Sequence, residues 1–140
     1  NDDSRALYDK LCSIAVEQID EVIGGLVSGQ LNRTRQDPKA ATSWRKRTPK
    51  DGEIDWRMTA EAIHNLVRAL ARPYMGAHCV RSGEEIKIWK TEPVEMTLPD
   101  LEPGKVLAAE NGIITVKCGS GAIRVLEHEF MTPPVKGDYL

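Results

Sequence analysis

Three histidines, three cysteines and one dense run of cations are the residues of this chain with chemistry to offer. His64, His78 and His128 lie far apart, and none sits in a nucleophile motif such as Gly-x-Ser-x-Gly. Cys12, Cys79 and Cys118 are odd in number and widely spaced, which excludes a disulfide framework and suits a reducing compartment. Cys79, Cys118, His78 and His128 carry the right atoms for zinc, but no Cys-x-x-Cys or His-x-x-x-His spacing gathers them. They read as small buried apolar side chains and surface imidazoles, so no metal is expected. Asp51, Glu53 and Asp55 alternate and could crowd carboxylates together, yet the neighbouring arginines and lysines are at hand to pair with them. Gly119-Ser120-Gly121 lacks the strand-to-helix setting of a phosphate-cradling loop and reads as a hairpin turn.

The cations are the stronger signal. Arg33, Arg35, Lys39, Arg45, Lys46, Arg47 and Lys50 face Asp37 as the only acid before Asp51. Such a stretch is either a solvated connector that pairs with acidic surface elsewhere or a phosphate contact. Arg45, Lys46 and Arg47 are its candidate contacts, and Arg68, on the polar face of a helix, is a fourth. The rest of the chain is not strongly basic. A net charge of -2 with 29% charged residues argues against a protein built mainly to grip nucleic acid. No apolar run reaches the roughly 18 residues of a membrane span. The opening Asn1-Asp2-Asp3-Ser4 has no signal-peptide pattern and no initiator Met, so it reads as a cut in a longer protein.

The elements that must position these residues follow from periodicity. Leu7, Leu11, Ile14, Ala15, Ile19, Val22, Ile23 and Leu26 recur every three or four residues, which predicts one helix over 4–28 with a stripe that needs a partner surface. Asp2, Asp3 and Ser4 supply acceptors at its start, and Gly29 a left-handed stop. Residues 30–57 are loop-like, with Ile54 and Trp56 as an extended anchor. Thr59 caps a second helix running to Ala71, with Ile63, Leu66, Val67 and Leu70 buried and Glu61, Asn65, Arg68 and Arg72 on the polar face. His64, at the rim between those faces, reads as a hydrogen-bonded packing residue. Five short Val- and Ile-rich segments follow, near 77–82, 85–91, 104–109, 113–118 and 122–128. Ser82-Gly83 and Asn111-Gly112 mark tight hairpins. The expected fold is therefore α+β: a leading helix, a linker, a second helix and a small five-stranded antiparallel barrel, whose closure would hide the sheet edges. The tail from Thr132 to Leu140 reads as loop.

Ordered along the chain, three motifs resemble the folate-dependent formyltransferases. Asn1-Asp2-Asp3-Ser4-Arg5-Ala6-Leu7-Tyr8-Asp9-Lys10-Leu11 is similar to the start of the last helix of their N-terminal, Rossmann-like domain. Arg47-Thr48-Pro49-Lys50-Asp51-Gly52-Glu53-Ile54-Asp55-Trp56 and the turn Pro73-Tyr74-Met75-Gly76-Ala77 are similar to the joint with their C-terminal, oligonucleotide-binding-like barrel. The resemblance covers nearly the whole chain. It implies that residues 1–36 end the N-terminal domain, 37–58 form a basic linker and 59–140 form the C-terminal domain. It also implies a parent enzyme moving a formyl group from formyl-tetrahydrofolate to an amine. The family's catalytic Asn, His and Asp fall upstream of Asn1, so no catalytic residue and no bound cofactor is expected here, and the fragment should be inactive alone. Its partner would be the N-terminal catalytic domain of the same protein, in the cytoplasm. Two branches compete for the substrate. The Arg47-Thr48-Pro49 loop and the His64–Ala69 helix look closer to the sugar-nucleotide formyltransferases, where the barrel positions substrate or braces the catalytic domain. The alternative is the tRNA-binding C-terminal domain of a methionyl-tRNA formyltransferase. Near-neutral charge and few stacking aromatics in the strands, Trp89 and Phe130, favour the sugar-nucleotide branch.

Overall fold

The computed structural model describes residues 2–31 and 33–140; Asn1, the first residue of the opening motif, lies outside them. The chain divides into two compact units. One is Ala6–Arg47; the other holds Thr48–Leu140 together with the first residues, as far as Arg5.

The larger unit is a helix on a five-stranded antiparallel sheet. Its elements are α2 (Ala60–Ala69), β1 (Ala77–Arg81), β2 (Glu84–Val94), β3 (Val106–Glu110), β4 (Ile113–Lys117) and β5 (Ala122–His128), with strand order β1-β2-β5-β4-β3. Thr59 caps α2 as expected, its side chain accepting from Ala62 N. The helix stops two residues before the expected Ala71. Leu70 N divides its bond between the carbonyls of Leu66 and Val67, and its backbone leaves helical geometry at φ -104°, ψ 5°. Both two-residue hairpins are of the doubly left-handed kind that matches strand twist: Ser82 and Gly83 sit at φ 55° and 83°, Asn111 and Gly112 at 53° and 76°. β2 runs three residues past the expected Thr91, through Pro93. Proline is tolerated there because β1 pairs only with the Glu84–Ile88 half, and bulges re-aim the strand around Lys90.

Period-two alternation fills the core. Ile114 and Val116 of β4, Ile123 and Val125 of β5 and Ile88 of β2 are all but fully buried, and they cluster with Ile63 and Val67 of α2. Each such aliphatic contributes roughly 1.5–3 kcal/mol by leaving water. Ile54 and Trp56 join the same cluster, so the segment before α2 is anchored as the sequence suggests. Gly119 is required beside it. Its N–H donates to the carbonyls of both Trp56 and Met58, and a Cβ there would lie 1.9 Å from the Arg57 oxygen.

The sheet is not closed into a barrel, as β1 and β3 do not pair. The edges are covered by other means, which removes the reason to close. Ile54 N donates to His78 O on β1. The irregular tail is sewn to β3: Val106 N donates to Asp138 O, Gly137 N to Val106 O and Leu140 N to Gly104 O. Arg81 of β1 then reaches the tail, with Nη2 2.7 Å from Asp138 Oδ2 and Nη1 donating to Thr132 O.

The smaller unit is built on α1 (Ser4–Ser28), whose first turn begins in the larger unit, where Ser4 Oγ donates to Ala71 O at 2.6 Å. α1 ends at Gly29, φ 70°, with Gln30 N bonded back to Gly25 O. None of its residues is buried, and Leu7, Leu11, Ile14, Ile19, Ile23 and Leu26 are each about half exposed. A short 3-10 turn, Pro38–Ala40, follows, with Asp37 accepting from Lys39 N.

Candidate functional site

The four sequence-predicted contacts fall in different units. Arg45, Lys46 and Arg47 belong to Ala6–Arg47 and Arg68 to the sheet unit, so neither unit gathers all of them.

Arg68 borders a cleft of about 430 Å³ between α2 and the sheet. Helical spacing places His64 and Arg68 one turn apart on its wall, and β2 supplies Trp89 and Lys90 opposite. Arg72 lies over the Trp89 ring, 4.1 Å from its centroid, and donates to Glu127 Oε1 at 2.7 Å. The indole fits because residue 76 is glycine: at φ 79° a Cβ there would sit 2.9 Å from the ring. The expected polar face of α2 forms a relay, in which Asn65 Nδ2 donates to Glu61 and Asn65 Oδ1 accepts from Arg68 Nε at 2.8 Å. Arg68 Nη1 also donates to Asp2 O. An anion entering this cleft would meet three cations, Arg68, Arg72 and Lys90, but also the carboxylates of Asp3 and Glu127, the second already bonded to Arg72.

His64 is the packing histidine the sequence suggests, its Nδ1 3.2 Å from Thr91 Oγ1. With that nitrogen engaged and both ends of the Asn65 amide in use, the residues around His64 do not fit a formyl donor. His128 accepts from Phe130 N at Nδ1, which leaves Nε2 to donate to the Gly112 carbonyl. His78 is buried on β1. Its Nε2 lies 3.7 Å from Glu85 and its Nδ1 has no hydrogen-bond partner among the described residues. Burial pushes the Cys79 and Cys118 thiols up to about 11, so both are inert at neutral pH, whereas Cys12 is exposed. No group of three or more metal-ligating side chains occurs among the described residues. Of the alternating acids, Asp55 pairs with Arg57, whose side-chain and backbone hydrogen bonds hold its carboxyl down to about 2. Asp51 caps the turn Pro49–Gly52 by accepting from Thr48 N.

The basic segment is extended and unburied: every residue from Arg33 to Arg47 is exposed. Within it stands a residue that periodicity gives no place. Trp44 is 81% exposed and directly precedes Arg45, Lys46 and Arg47. The signal for it was compositional, an aromatic beside three consecutive cations, rather than a repeat.

The sequence profile of the family described as "Formyl transferase, C-terminal domain" matches residues 46–135. Methionyl-tRNA formyltransferase of Caldanaerobacter subterraneus subsp. tengcongensis is 38% identical over 127 residues, covering 91% of this chain and 40% of that protein. The enzymes of the same name from Rubrobacter xylanophilus and Halothermothrix orenii are 39% and 35% identical, over 86% and 90% of this chain. The chain spans 40% or 41% of the length of these relatives. Among solved structures, a variant of HypX from Aquifex aeolicus superposes with a TM-score of 0.61 at 22% identity, over 81% of this chain and 20% of that one. HypX in complex with tetrahydrofolic acid gives 0.60, also at 22%. At such identity the likeness is one of fold.

Proposed function

Because the chain belongs to the formyl transferase family through its C-terminal domain, we propose that it is the C-terminal part of a methionyl-tRNA formyltransferase. The observation that carries this reading is the run of methionyl-tRNA formyltransferases at 35–39% identity over most of the chain. It reverses the preference for a sugar nucleotide drawn from the Arg47-Thr48-Pro49 loop, the His64–Ala69 helix, the charge and the aromatic content. The charge was a whole-chain total, which diluted the local asymmetry of residues 33–50, and the aromatics were counted over the strands, which left out Trp44. The parent would move a formyl group from formyl-tetrahydrofolate to the amino group of methionyl-tRNA in the cytoplasm, with donor site and catalytic residues on an N-terminal domain outside this sequence. Residues 1–36 would close that domain, 37–58 link it and 59–140 form the C-terminal domain. The half-exposed stripe of α1 is the surface we assign to the N-terminal domain. Arg45, Lys46 and Arg47 would neutralise tRNA phosphates, and Arg68 would brace the start of α1 or meet the same backbone.

Binding of this chain to tRNA across a salt series tests the reading, with a nucleotide sugar as competitor. Micromolar binding that weakens by about 0.9 log unit per log unit of salt for each phosphate neutralised is expected. No tRNA binding at low salt, or displacement by the nucleotide sugar, would restore the sugar-nucleotide branch. No described helix is long and apolar enough to cross a membrane.

A further inference from the structure

We propose that Trp44 is a stacking platform for an unpaired nucleobase, with Arg45, Lys46 and Arg47 holding the adjoining phosphates; this rests on the tRNA reading above. A single exposed apolar side chain is ordinary. Trp44 differs in its surroundings. Trp44 is 81% exposed in a segment where nothing from Arg33 to Arg47 is buried, so the ring anchors no core within its own unit. Seven cations accompany it between residues 33 and 50, against Asp37, which is spent on capping the local turn.

The chemistry of that grouping is specific. An indole face attracts planar aromatic rings, and three consecutive cations attract a polyanion. One ligand that offers both at a spacing of a few ångströms is a single strand, in which a base alternates with a phosphate. A paired duplex offers the phosphates but keeps its bases stacked on one another. The segment should therefore prefer RNA with unpaired nucleotides over a closed helix. An acidic protein surface would satisfy the cations and leave the indole with no aromatic partner of its own.

The experiment compares wild type, Trp44→Ala and Trp44→Phe in the full chain. Each is titrated with tRNA carrying its unpaired 3′ nucleotides and with a blunt-ended RNA hairpin of matched length, across a salt series. Trp44→Ala is expected to weaken binding to tRNA about tenfold or more, the range that one base stack supplies. The salt slope should not change, the blunt hairpin should be unaffected, and Trp44→Phe should retain most of the affinity. Quenching of indole emission by the tRNA should disappear in Trp44→Ala although Trp56 and Trp89 remain. Wild-type binding with a steep salt slope that Trp44→Ala leaves intact overturns the stacking role while sparing the tRNA reading. Equal loss on both RNAs also overturns it, because the indole would then be supporting the loop. Absence of wild-type binding to either RNA overturns the tRNA reading and the stacking role with it.

Discussion

α1 and α2 carry apolar side chains at the same three- and four-residue spacing, yet one buries none of them and the other seats Ile63 and Val67 in the core. α2 has ten residues and α1 twenty-five, so length does not decide the outcome. α2 is welded to its sheet at both ends. Its Thr59 cap lies where Ala60 N donates to the Ser120 carbonyl of the β4–β5 turn, and Gly76 N returns to Leu70 O after the helix. Over Ala6–Arg47, α1 has only the exposed basic segment in its own unit. An amphipathic pattern states that a face will be covered and is silent about what covers it. Coverage depends on the company the helix keeps along the whole protein.

That contrast can be broken most sharply at Gly119. Gly119→Ala forces a methyl group into the Arg57 carbonyl, and a loss of about 4 kcal/mol or more is expected, enough to abolish the cooperative urea transition of the sheet unit. A transition within about 1 kcal/mol of wild type, about a fivefold change in equilibrium constant, would mean that the 56–58 segment moves aside freely. Trp56→Ala comes next, at about 3–5 kcal/mol by equilibrium denaturation, since Trp56 is 7% exposed. Arg81→Ala cuts the side-chain link between β1 and the tail and should cost about 1 kcal/mol. The tail amides of Gly137 and Leu140 should then exchange faster with solvent; unchanged exchange would show that the backbone ladder to β3 suffices alone. Leu11→Ala on α1 should stay within about 0.5 kcal/mol in this chain, because the side chain is already half in water. Amide exchange along α1 should be much faster than in β4 and β5, and equal protection would contradict the contrast itself. The smallest effect is that of pH. The Asp55 carboxyl is held at about 2, below its ordinary 3.8, so its contribution is present above the ordinary value and fades as pH falls towards 2. Asp55→Asn should flatten that acid limb slightly, while a limb of unaltered steepness would assign the acid sensitivity to other carboxylates.

Much of the sheet unit was legible because its signals are local. Asn111-Gly112 and Ser82-Gly83 dictate the backbone of their turns, Thr59 its helix start, and alternation in Ile114-Thr115-Val116 its face. The open sheet was not legible, because its edges are covered by long-range partners, Ile54 on β1 and Asp138 on β3, that no local pattern announces. At the candidate site, the cations were visible by composition. Trp44 stands beside them with a compositional signal but in no repeat, and periodicity is blind to a residue in an irregular segment. The Arg72–Trp89 stack depends on Gly76, whose role as a seat for an indole appears only when the turn lies against β2.

The strand order also bears on how the chain is assembled in time. β1–β2 and β3–β4 are hairpins that form from neighbours in the sequence, but in the sheet they are joined only by β5, last in the chain and central in the sheet. As the polypeptide emerges from its N-terminal end, the two hairpins wait with bare inner edges until Ala122–His128 arrives to fill the gap. A chain interrupted before residue 122 would thus present the inner edges of β2 and β4 and, without the tail, the outer edge of β3 as well, a template for association with its neighbours on the same messenger rather than a partly working domain.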